Sequence, residues 1–140
     1  MSTHCLIGIV YPNDETRCIY CHSDDYIEGG VGDLLNHYYK NKDKIEQLID
    51  LGNLSFLGRE PISDASQWSA YPDLDKKCRA YKDRGDKGEE YSLYDSPKEA
   101  MENQGQEFNY FFIDGEWYLK TLDLHSGPSI IRLRDNKTIG

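Results

Sequence analysis

The sequence predicts an α+β fold: one domain over residues 1–140, built on a mainly antiparallel sheet of about five strands with two or three short helices on one face. Three observations lead there. Two pairs of aromatic and β-branched runs are each joined by a turn, and segments with helical spacing are inserted between the pairs. No repeat, low-complexity tract or linker divides the chain. Strands that follow one another pair antiparallel, and helices inserted between such pairs gather on one face of the sheet.

Taken in order, "THCLIGIVY" and "TRCIYCH" are rich in Ile, Val, Tyr and Cys and flank Pro12-Asn13-Asp14-Glu15, a turn-forming cluster. They form a β-hairpin. After a glycine-bearing loop, Leu34, Leu35 and Tyr38 and then Ile45, Leu48 and Ile49 recur at helical spacing, with Gly52 as a stop. Residues 53–73 carry Gly58, Pro61, four serines and Pro72 and no sustained period. A connection of that length inside a compact domain carries a function or hides a short element. "KKCRAYKD" is a middle strand ended by Arg84-Gly85-Asp86-Lys87-Gly88. Ser96-Pro97-Lys98-Glu99 combines a capping residue, a proline at the first helical position and a glutamate that can bond back to the cap, so "PKEAMENQ" is a helix. "EFNYFFI" and "EWYLKTL" are joined by Asp114-Gly115, a dipeptide that accepts positive φ at both positions of a tight hairpin. Residues 123–140 supply an edge strand around Ile130 to Leu133 and a frayed tail.

Composition narrows the function. At 140 residues, folding buries roughly two-thirds of the unfolded surface, enough for one core. Sixteen Lys and Arg against 25 Asp and Glu leave net charge -9, which repels the backbone of duplex nucleic acid. No apolar run reaches the roughly 20 residues of a membrane span, and the opening "MSTHCLIGIVYPNDE" has no signal-peptide character, so a cytoplasmic protein is expected. Four cysteines in such a chain read as thiols and small core residues.

The stretch "RCIYCHSDDYIEGGVG" holds the densest chemistry. Cys18-x-x-Cys21-His22 has the spelling of a c-type haem attachment site. An offset of three on a strand, however, sends the two sulfurs to opposite faces, whereas haem attachment and zinc chelation need them to converge. No metal and no cofactor are expected. The same alternation places His22, Asp24 and Tyr26 on one face if the strand stays extended: an imidazole, a carboxylate to orient it and a ring to stack on. The bland alternative has Asp24 capping the turn and His22 packed at a sheet edge. Gly29-Gly30-Val31-Gly32 ahead of a helix could aim amides at a phosphate, but no Lys-Ser/Thr pair follows, and a tight turn explains the glycines as well. Tyr81 and Arg84 sit at a later strand end, where a guanidinium can fork onto a phosphate or simply face water. Arg79, Arg132 and Arg134 are weaker candidates of the same kind. A nucleophilic Cys5, or a Cys21 and His22 pair, is disfavoured because neighbours on a strand point apart and "CLIGIVY" reads as buried.

His22, Asp24, Tyr26, Glu28 and Gly29, followed by Leu34, Leu35, His37 and Tyr38, resemble a family of small bacteriophage and prophage proteins. Its signature is His-x-Asp-x-Tyr-Pro-x-Gly-x-Gly after the first hairpin, then a Leu-Leu-x-His-Tyr helix. "DLGNLSFLG", "AYKDRG" and "FIDGEWYL" resemble later landmarks. Ile27 stands where the pattern has proline, Asp25 where it has a small residue, and Gly30 is an insertion. The resemblance brings no activity with it but implies a phage-type accessory protein acting in the host cytoplasm against a defence system.

Three functions stay open, in this order. The first is binding and sequestering a small polar, nucleotide-type signalling ligand through His22, Asp24, Tyr26, Gly29, Tyr81 and Arg84. The second is an acidic inhibitor docking on a defence enzyme or a nucleic-acid-binding complex. The third is a hydrolase or lyase of such a nucleotide, with His22 as acid or base and Asp24 orienting it. Binding is preferred to catalysis. A homo-oligomer through an edge strand stays open as well.

Overall fold

The first hairpin forms where the sequence places it. In a computed structural model, which describes residues 4–22, 30–72, 76–121, 129–135 and 137–138, β1 (Cys5–Val10) and β2 (Thr16–Cys21) pair antiparallel, Cys5 opposite Cys21 and Val10 opposite Thr16. Asp14 takes the left-handed φ of 71° that closes the turn, a conformation its short polar side chain tolerates. There follow α1 (Val31–Tyr38), α2 (Lys42–Asp50), β3 (Leu54–Phe56), a 3-10 turn (Ala65–Trp68), β4 (Arg79–Ala80) and a second 3-10 turn (Tyr81–Arg84). The chain continues through β5 (Ser92–Tyr94), α3 (Pro97–Gln104), β6 (Phe108–Ile113), β7 (Glu116–Thr121), β8 (Ser129–Arg132) and β9 (Lys137–Thr138).

The strands make one sheet in the order β4-β3-β2-β1-β6-β7-β8-β9, with β5 also paired to β2. The class is α+β, but among the described residues the sheet has nine strands where about five are expected, and it is mixed: β1 runs parallel to β6 and β2 parallel to β3. The additional strands β3, β5 and β9 have two or three residues each, too few to show a period of two. "KKCRAYKD" contributes only Arg79–Ala80, at the sheet's edge. The strand expected at the edge around Ile130 to Leu133 is β8, which is flanked by both β7 and β9, so β9 is the edge.

A second expectation also needs correction, because the helices cover both faces. Cys5, Ile7, Ile9, Ile19, Cys21, Tyr110 and Phe112 point to one side and pack with Val31 and Leu35 of α1 and Ile45, Leu48 and Ile49 of α2. Leu6, Cys18 and Phe111 point to the other and meet Ala100 of α3. The physical reason is legible in "CLIGIV" and "FNYFFI": their apolar residues are consecutive rather than alternating, the mark of strands buried on both faces. Full burial of each such side chain stabilises by about 1.5–3 kcal/mol. Gly8 lets Phe111 lie across β1, since a Cβ there would sit 3.0 Å from the ring.

The helix ends follow local chemistry. The Asn41 side chain accepts from the Lys44 amide at 2.8 Å, and Ser96 Oγ accepts from the Glu99 amide at 3.1 Å, with Pro97 inside the first turn. Gly52 follows α2 at φ 79°. Among the described residues, no helix is long and apolar enough to cross a membrane.

Candidate functional site

Because β1 and β2 are antiparallel, the start of one and the finish of the other meet at the end of the sheet away from their turn. Continuing the Cys5–Cys21 register by one residue sets His4 opposite His22, and the two ring centroids are 4.4 Å apart. Tyr20 precedes His22 by two residues and shares its face. Its hydroxyl is hydrogen-bonded to Nδ1 of both imidazoles, at 3.0 Å from that of His22. A phenol has one proton to donate, so at least one of the two Nδ1 atoms must carry a proton and donate to the phenol oxygen. The trio is therefore a chain of two hydrogen bonds centred on the Tyr20 hydroxyl. Burial, followed by the nearby Tyr81 phenol and the Cys21 and Cys5 thiols, pushes the Tyr20 hydroxyl up to about 12, so it keeps its proton at neutral pH.

Backbone contacts hold this cluster in place. The His22 amide donates to the Leu54 carbonyl at 2.9 Å, and the Tyr20 amide donates to Asn53 Oδ1 at 2.8 Å. Asn53 is a joint. Its backbone amide and its Nδ2 donate to the backbone and side chain of Glu89, at 2.8 and 2.9 Å, while its carbonyl accepts from the Tyr81 amide at 3.1 Å. One asparagine thus ties β2 to the turn that carries Tyr81 and Arg84.

That turn meets the Ala65–Trp68 turn through its aromatic rings. The Trp68 and Tyr81 centroids are 5.7 Å apart, and Arg84 lies over both, 4.7 Å from the Trp68 centroid and 5.2 Å from that of Tyr81. Arg79 covers Trp68 at 5.1 Å, and its Nε donates to the Gln67 carbonyl at 2.9 Å. Trp68 Nε1 donates to the Ala80 carbonyl at 2.9 Å, which fixes the indole. Arg84 also forks onto Asp86, at 3.1 and 2.6 Å, and this hydrogen bonding holds the Asp86 carboxyl below its ordinary range. An ion pair this exposed is screened by water and readily exchanged for another anion.

Three predicted site residues, His22, Tyr81 and Arg84, therefore belong to one neighbourhood, linked through Tyr20 and Asn53. Asp24, Tyr26 and Gly29 lie outside the described residues, as do Asp25, Ile27 and Glu28. Among the described residues the Nδ1 partner of His22 is Tyr20. Cys18 and Cys21 fall in different apolar clusters, as alternation requires, and Cys5 is fully buried. Arg132 and Arg134 pair with Asp135 and Glu116 at a different part of the sheet. Sequence reasoning missed His4, Tyr20 and Trp68. The first two carried a signal, since the hairpin register places His4 across from His22. Trp68 carried none, because the partners of a 3-10 turn are set by the tertiary fold.

Compared with protein-family models, curated proteins and solved structures, the chain matches none.

Proposed function

We propose that the protein binds and sequesters a small polar, nucleotide-type ligand at the His22 end of its sheet, as a phage-type antagonist of a host defence system. The observation that carries this reading is Arg84 lying over both Trp68 and Tyr81. Aromatic faces stack a base at little entropic cost, and a guanidinium beside them meets the phosphate attached to it. The imidazoles of His4 and His22 add hydrogen-bonding groups on the neighbouring strands. The defence context comes from the resemblance of the first hairpin and helix to bacteriophage proteins, an argument by association.

Calorimetry with a panel of cyclic dinucleotides and ADP-ribose derivatives tests it. Binding heat with at least one member is expected, weakened about tenfold or more by Trp68→Ala or Arg84→Ala, the range expected for losing a stacking or charge-assisted contact. Heat from no member overturns the reading and leaves docking on a defence protein, which the net charge of -9 favours.

The hydrogen-bonded His4–Tyr20–His22 chain favours a second reading, cleavage of the same ligand with His22 as acid or base. Chromatography of the bound nucleotide after overnight incubation separates the two: conversion supports catalysis and full recovery supports sequestration.

A further inference from the structure

At the opposite end of the sheet three connections converge: the turn between β1 and β2, the Asp114-Gly115 turn and the link between α1 and α2. Between them is a cavity of about 300 Å³ whose walls include Ile9, Tyr11, Lys40, Lys42, Phe112 and Asp114. A second hollow of about 190 Å³ adjoins it across Lys40 and Gly115 and reaches Arg134. None of these residues belongs to the site around His22.

The walls are held in place. Trp117 Nε1 donates to the Tyr39 carbonyl at 2.7 Å, the Tyr39 hydroxyl donates to the Gly58 carbonyl at 2.7 Å, and Asn41 caps α2. Lys40 is strung between these two anchored neighbours. Asp114 and Gly115 take φ of 49° and 80°, the pair of left-handed conformations that defines the tightest hairpin turn. Binding here would order little that is not already ordered, which keeps its entropic cost low.

Charge then says what fits. Arg134 already holds Glu116 at 3.1 Å, and the Tyr11 hydroxyl is given to Glu46 at 2.5 Å. Among the described residues, neither Lys40 nor Lys42 has a carboxylate partner; Lys42 rests 5.0 Å over the Tyr11 ring. Lys40 and Lys42 thus line the larger cavity together with Ile9 and Phe112, and Asp114 is the only carboxylate among the described residues that line it; Glu46, one turn along α2 from Lys42, is engaged with the Tyr11 hydroxyl. The chain's net charge of -9 does not cancel the two lysines, because exposed charges beyond about 8–10 Å are largely screened at physiological salt.

We infer that this cavity binds a compact organic anion, a phosphate or carboxylate carried on a single ring. The anionic group meets Lys40 and Lys42, away from Asp114, and the ring lies on Ile9 and Phe112. The volume is at the lower end of small-molecule sites, too small for a dinucleotide.

Titration of the 15N-labelled chain, with phenyl phosphate, benzoate, phenol and inorganic phosphate in separate arms, tests the inference. Saturable shifts are expected at the Lys40, Lys42 and Gly115 amides with phenyl phosphate or benzoate, the stronger of the two identifying the anionic group. The double variant Lys40→Ala, Lys42→Ala should weaken this binding about tenfold or more, the size of losing charge-assisted contacts, with the rest of its spectrum unchanged. Arg84→Ala should bind as the parent does, which separates this site from the one around His22. No shift with either ring anion, equal binding of phenol or of inorganic phosphate, or unchanged affinity in the double variant would overturn the proposal.

Discussion

Tyr20 serves two imidazoles with one hydroxyl, and the consequence is testable one atom at a time. Tyr20→Phe keeps the ring and removes the bridge, leaving two partly buried imidazoles. It should cost about 0.5–1.5 kcal/mol in urea denaturation, the net worth of an ordinary hydrogen bond. In nitrogen spectra of the histidine rings, the Nδ1 signals of His4 and His22 should both shift when the hydroxyl is removed; signals unchanged from the parent would sink the bridge. Tyr39→Phe should cost more, about 1–3 kcal/mol, because Tyr39 is fully buried and the Gly58 carbonyl would lose its hydroxyl donor where water does not reach. At this scale much of the site was legible: alternation alone put His22 on a face away from Cys21. What alternation does not reveal is the partner, since His4 and His22 meet only once the hairpin has a register.

At the scale of the element, ends written in local chemistry are the ones that sequence locates. Ser96-Pro97 and Asp114-Gly115 open α3 and close the β6–β7 hairpin at the expected residues, because a cap or a turn needs only its own neighbours. Ser96→Ala should lower stability by about 1 kcal/mol, read as a shift of the urea midpoint. Gly52→Ala should be worse, about 2 kcal/mol or more: an added Cβ would lie 2.2 Å from the Glu89 carbonyl oxygen at a backbone φ of 79°. A melting temperature within a degree or so of the parent would contradict that contact. β3, β5 and β9 were not legible as separate strands, for a physical reason. Two or three residues carry too little side-chain pattern to announce a strand, and their pairing is decided by the strands they happen to lie beside.

At the scale of the whole molecule, burial sets the response to pH. Tyr11 and Tyr20 are raised from an ordinary 10.0 to about 12, and Cys18 from 9.0 to about 12, burial being the largest cause in each. All three are held neutral by the fold, so the unfolded chain gives up these protons first. The stability they lend is whole below about pH 9 and drains as pH rises toward 12. The urea midpoint should accordingly fall between about pH 9 and about pH 12, and a flat profile would show that the fold does not hold these groups neutral. Two-sided burial of the central strands also explains why α3 lies opposite α1 and α2. Leu6 and Phe111 make the second face of the sheet apolar, and α3 covers it.

The sequence by itself determined the α+β class, both hairpins, the helical segments after the first hairpin and after Ser96, and the face on which His22 stands, because each depends on neighbours within a few residues. Only the tertiary structure decided the parallel pairing of β1 with β6, the meeting of Trp68 with Tyr81 and Arg84, and the convergence of three connections around Lys40. Those contacts join residues far apart in the chain, and long-range partners are chosen by which surfaces can be buried together, a property of the assembled fold that no local pattern encodes.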